Sequence, residues 1–155
     1  MKRCLALLLV IVLALSMFVG CDASKKSNKE EEFCTLVSET QELLDEYADD
    51  IYSCWYDYIY EDEYSSIDSA ILAAMLMNTE NSKTIEANNE KIKALYSEVK
   101  EGELKSEVKA VMQAYNDYYA LVMEVSGSFN SFSANKETLK KELSSALKDL
   151  EFELD

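Results

Sequence analysis

The sequence predicts an all-α protein, an elongated antiparallel bundle of three to four helices, on three observations. From about residue 30 onward, apolar residues recur in alternating steps of four and three, the spacing that gathers them on one side of a helix. No stretch alternates apolar and polar residues long enough to make a strand, and the hairpin dipeptides Asn-Gly and Asp-Gly do not occur. Proline is missing altogether, and beyond residue 20 glycine stands only at positions 102 and 127, each where a periodic segment stops.

The elements follow in chain order. Lys2 and Arg3 precede an apolar run over residues 4–15 that continues through Ser16 to Val19, a charged n-region and an h-region. Sixteen residues of helix reach about 24 Å, short of the ~20 residues a hydrocarbon core usually requires, so a cleaved export signal is expected rather than a permanent span. The run ends in Phe18-Val19-Gly20-Cys21, which resembles the lipobox of bacterial lipoproteins, although Phe18 stands where leucine is usual. The resemblance covers residues 1–21. It implies cleavage between Gly20 and Cys21, a diacylglyceryl group on the Cys21 thiol, and attachment at the extracytoplasmic face of the cell membrane. The plainer reading makes Cys21 an ordinary thiol behind a secretory signal or an uncleaved anchor, and it too places the domain outside the cytoplasm. Two or three acyl chains suffice for firm attachment, each buried methylene contributing about 0.8 kcal/mol. The expected organisation is a signal peptide at 1–20, a lipidated cysteine and flexible tether at 21–32, and a helical domain at 33–155.

Removing residues 1–20 takes away Lys2 and Arg3 and no acid, which leaves 13 basic against 30 acidic residues and a net charge of −17. The remainder contains no His and no Arg, so an imidazole base, an imidazole metal ligand and a guanidinium clamp are unavailable. Nucleic acid is disfavoured as a partner, because phosphate binding needs clustered cations. The lysines of residues 22–29 sit in a small polar background that reads as a tether; near anionic lipid each would contribute about 1 kcal/mol, or they merely keep a linker soluble.

A first long amphipathic helix places Phe33, Val37, Leu44, Tyr47, Ile51, Cys54 and Tyr58 on one seam, with Thr40 a polar member. The acidic residues 61–63 end it, and Ser65 with Asp68 has capping-box spacing for the next helix, which sets a turn near 63–65. The second seam runs through Ile67, Ile71, Ala74, Asn78, Asn81, Ile85, Asn88, Ile92, Leu95 and Val99 without a phase slip. Two readings stand there: one helix of about 35 residues, or a break among residues 78–82, which are mostly turn and cap formers. The three seam asparagines either find partners that fix register or leave the seam wet. Leu104, Val108, Val111, Tyr115, Tyr118, Val122 and Val125 make a third seam between the two glycines, both expected as left-handed C-caps. A loop to Asn135 then leads to a last helix with Leu139, Leu143, Ala146, Leu150 and Leu154 on one side.

Cys34 and Cys54 invite a disulfide in an exported domain, but twenty residues of helix would hold them ~30 Å apart, far beyond the roughly 4.4–6.8 Å between bridged alpha carbons. Two unpaired thiols are expected, with Cys54 filling core space. The end of the first helix is dense in aromatics: five tyrosines from Tyr52 to Tyr64, and Trp55. One buried face cannot take them all. Tyr52, Trp55, Tyr56 and Tyr60 are the candidate partner-binding residues; the alternative is that they pack beneath neighbouring helices and loop.

Asp49-Asp50 and residues 61–63 could hold a hard cation loosely, but no calcium-loop signature is present, no zinc spacing occurs, and a di-iron site lacks its histidines. No catalytic residue, metal or cofactor is implied, and an enzyme is not expected. Two function classes remain: a membrane-anchored module that docks another protein at the cell envelope, or a ligand-binding or sensing lipoprotein whose Tyr and Trp end forms the pocket.

Overall fold

From residue 22 to residue 60 no glycine or proline interrupts the chain, and the backbone is one continuous helix, α1 (Asp22–Tyr60). The computed structural model describes residues 22–155, with side chains from Lys29 onward; Gly20, Cys21 and the signal sequence lie outside the described residues. Residues 22–32, expected as a tether, thus carry helical backbone. Glu30 is buried, and Lys29 forms an ion pair with Glu98.

Four more helices follow among the described residues: α2 (Ile67–Met77), α3 (Thr79–Val99), α4 (Lys105–Met123) and α5 (Phe129–Leu154). The domain is all-helical and bundle-like as predicted, with five helices rather than three to four. The extra one arises at Asn78, where φ −100° and ψ 21° depart from helical values and divide the second seam into α2 and α3.

Cross-helix partners fix the topology. Along α1 against α2 and α3, the pairs Asp50–Asn78, Glu46–Asn81, Thr40–Asn88 and Phe33–Tyr96 descend on one side as they rise on the other. Along α1 against α5, Gln41–Ser144, Asp45–Lys140, Asp49–Lys136 and Trp55–Phe132 do the same. Both neighbours therefore run antiparallel to α1. The α4 helix closes the bundle through Tyr118 to Asp45 of α1 and Tyr115 to Asn89 of α3. Thus α1 touches all four other helices, and its 39 residues rise about 58 Å.

Phe33, Val37, Leu44 and Ile51 of α1 meet Ile85, Ile92, Val108, Val111, Leu143 and Leu150 in one fully buried core, each side chain contributing roughly 1.5–3 kcal/mol. Both cysteines of the domain are buried and unpaired, as expected, and the Tyr64 hydroxyl donates to Cys54 Sγ at 3.5 Å.

Local chemistry sets the boundaries, with three corrections. The capping box of α2 uses Ser66 and Ser69 rather than Ser65 and Asp68: Ser66 is extended (φ −159°, ψ 161°), its Oγ accepts from Ser69 N–H at 3.1 Å, and Ser69 Oγ accepts from Ser66 N–H at 3.1 Å. The same Ser-x-x-Ser box, Ser128 with Ser131, starts α5 at Phe129, so the stretch expected as a loop to Asn135 is helix. Serine reaches back to the cap amide where the motif's usual residue is Glu or Gln. The third correction concerns the glycines: only Gly127 is left-handed, at φ +87°, and it stands before the Ser128 cap of α5, whereas the C-cap of α4 is Glu124. Gly102 is instead a close approach, since a Cβ there would stand 2.5 Å from Glu30 Oε1 and 3.1 Å from the Val99 carbonyl oxygen.

Candidate interaction site

Residues 52, 56 and 60 recur at the four-residue spacing of one helix face, over the last turns of α1. The Ser128 cap turns the chain so that Phe129, the first residue of α5, enters among them. Its ring centroid lies 5.1 Å from Tyr52, 6.0 Å from Trp55, 6.4 Å from Tyr56 and 6.4 Å from Tyr60. Tyr56 and Tyr60 pack on each other at 4.6 Å. These separations suit offset and edge contacts, worth about 0.5–1.5 kcal/mol per pair beyond burial.

The four sequence candidates divide into two kinds. Trp55 is buried, held also by Phe132 at 5.8 Å, and Tyr52 is half-buried, so packing accounts for both. Tyr56 and Tyr60 stay 39% and 59% exposed, with Ile59 beside them at 41%. The contact face is therefore an exposed tyrosine edge on an aromatic foundation. Sequence reasoning missed Phe129, whose residue it assigned to a loop.

It also missed Lys136. This side chain is only 11% exposed, its ammonium lies 5.0 Å from the Tyr52 ring centroid, and it pairs with Asp49 and, at 3.4 Å, with Glu137. Burial alone would pull its pKa down; the two carboxylates outweigh that and hold it above the ordinary lysine value. One helical turn further along α5, Lys140 pairs with Asp45 at 3.0 Å while the Tyr118 hydroxyl donates to the other Asp45 oxygen at 2.7 Å. Burial first, then the hydrogen bond to Asp45 and nearby negative charge, push the Tyr118 phenol upward. The signal was present in the sequence: Phe132, Lys136, Leu139 and Leu143 continue the four-three rhythm, with lysine in an apolar slot.

Each of the seam asparagines has side-chain partners. Asn78, 2% exposed, donates to Asp50 at 2.7 Å and to the Ala74 carbonyl at 3.1 Å, and accepts from Asn81 at 3.2 Å. Asn81 also donates to Glu46 at 3.2 Å, and Asn88 donates to Thr40 at 3.1 Å. A fourth, Asn89, outside the predicted seam, accepts from the buried Tyr115 hydroxyl at 3.4 Å.

The outer face of α2 is a second exposed apolar surface: Leu72 is 55%, Met75 41%, Leu76 67% and Met77 65% exposed. A helix apolar on every side is expected to be buried, and α2 covers α1 with one side only.

Among the grooves of the described surface are three open ones of about 590, 640 and 380 Å³, which are lined by residues other than Tyr52, Trp55, Tyr56 and Tyr60. Among the described residues no three His, Cys, Asp or Glu side chains converge as a metal site, and no helix is long and apolar enough to cross a membrane.

The fold and this surface define an acidic helical bundle with exposed aromatic and apolar faces at the end of α1. No family model matches the chain, and no curated protein or solved structure shows significant similarity to it.

Proposed function

We infer that the chain is an extracytoplasmic lipoprotein, tethered through acyl groups on Cys21, whose helical domain docks another protein. The observation that supports docking is the exposure of Tyr56 and Tyr60 above a packed base of Tyr52, Trp55 and Phe129. Tyrosine offers large, rigid contact area with a polar tip, which suits protein interfaces. The tethering rests on the signal and lipobox residues.

Docking is favoured over ligand capture because the aromatic end presents an exposed edge, Tyr56 and Tyr60, on a packed base. Tyr52 to Tyr60 lie about 45–57 Å along α1 from Asp22, so an α1 standing upright on the membrane would present this face away from the bilayer.

Two measurements test this reading. Fatty-acid labelling of the native protein should disappear in Cys21→Ser; retained label rejects the anchor. Co-purification from the native membrane should yield a companion protein that is lost with Tyr56→Ala/Tyr60→Ala; a companion list unchanged by the substitutions rejects the site.

A further inference from the structure

The α2 helix exposes a ladder that the aromatic site does not use. Asp68, Leu72, Leu76 and Glu80 stand four residues apart, all exposed, the first three on α2 and the last in the first turn of α3. Two leucines more than half exposed are thus bracketed by a carboxylate at each end, Asp68 on one side and Glu80, which also pairs with Lys83 at 2.8 Å, on the other. The adjoining turn adds exposed Glu61, Asp62 and Glu63, with Asp62 in the left-handed region at φ 55°.

Leu72 and Leu76 leave more than half of their apolar surface in water, burial that a partner would recover. The surrounding charge selects that partner. A second copy of this chain would bring the same carboxylates against these and be repelled, and an anionic lipid surface would be repelled likewise. A helix carrying apolar residues at four-three spacing with lysine or arginine on either side would match both the leucine pair and the acidic ends.

We propose that the outer face of α2 binds a cationic amphipathic helix of a partner protein, with Leu72 and Leu76 as the apolar contact and, as the charge clamp, Asp68 together with Glu80, which would exchange Lys83 for a partner cation. This rests on the reading of the chain as a docking module and adds a second contact surface with a defined partner chemistry.

The test uses the full-length lipidated protein in phosphatidylcholine nanodiscs, with empty nanodiscs as blank. The probes are a fluorescent leucine–lysine helical peptide and a leucine–glutamate peptide of the same spacing, followed by anisotropy. The cationic peptide should bind, and Leu72→Ser/Leu76→Ser, which leaves every charge in place, should weaken it by roughly tenfold or more. Tyr56→Ala/Tyr60→Ala should leave that affinity unchanged. Equal binding to the double serine variant would show general charge attraction and overturn the proposal, as would equal binding of the acidic peptide or no binding at all. Self-association that the serine variant abolishes would assign the face to a second copy and overturn it too. Should the peptide fail while a Tyr56- and Tyr60-dependent companion is still recovered, this inference falls and the docking reading stands.

Discussion

The side-chain amide of Asn78 donates to the Asp50 carboxylate at 2.7 Å from a position only 2% exposed, at the joint where α2 gives way to α3. Both amide hydrogens and the carbonyl oxygen are engaged there, so a residue that breaks the helix also locks the broken ends onto α1. Asn78→Ala should therefore cost about 1–2 kcal/mol, mostly by stranding its partners. A shift of the urea midpoint measures it, and an unchanged midpoint would deny the joint any structural role.

Trp55 and Tyr60 belong to one aromatic cluster but should answer differently to truncation. Trp55→Ala opens a cavity beneath Phe129 and Phe132 and should cost roughly 3–5 kcal/mol. Tyr60→Ala removes a largely exposed ring with two ring contacts, to Tyr56 and Phe129, and should cost less, about 1 kcal/mol. Thermal melts of the two variants separate foundation from contact face; equal losses would contradict the division.

Stability should fall in alkali. Burial first, then Glu151, push the Cys34 thiol from 9.0 up to about 11. Tyr115 and Tyr118, mainly through burial, and Lys136, through Asp49 and Glu137, also hold their protons more tightly than an unfolded chain would. Each raised pKa adds stability that is complete below the unfolded value and is lost as pH climbs through the folded one. The decline should begin near pH 9.0 with Cys34 and steepen beyond 10.0 as the tyrosines follow. Denaturant titrations across this range check the sign, and Tyr118→Phe should flatten the curve.

The two glycines of the domain should differ on substitution. Gly127→Ala forces an L-residue to φ +87° and should cost about 1–2 kcal/mol. At Gly102 the nearest obstacle is the end of the flexible Glu30 side chain, which can swing aside, so Gly102→Ala should cost less. The reverse order in calorimetry would show that the Glu30 approach is the tighter constraint.

Native thiols should be slow to react. Cys34 and Cys54 are each 4% exposed and unpaired, so a thiol reagent should label both only when the bundle opens, at a rate that denaturant increases. Immediate labelling of either would place it at the surface.

Much of this fold was legible in the residues. Four-three spacing marked the faces of α1, α3 and α4, because burying one side of a helix is a local, periodic demand that each segment carries within itself. The same spacing ran straight through Asn78 and could not reveal a break, since a kink that keeps phase leaves no trace in periodicity. Ser128 and Ser131 hid the start of α5 because the capping template expects a longer side chain at its third position. The aromatic candidates do gather at one end of α1, yet which of them faced water depended on Phe129, seventy-seven residues beyond Tyr52.

The sequence by itself determined the helical class, the strong negative charge, the unpaired thiols and the segment that would carry the aromatics, all consequences of composition and short-range order. Only the tertiary structure decided that Asn78 meets Asp50, that Lys136 sits against Tyr52, and that Leu72 and Leu76 remain uncovered. The reason is physical: a side chain's burial is a property of what packs against it, and here those neighbours arrive from helices 28 or more positions away in the chain.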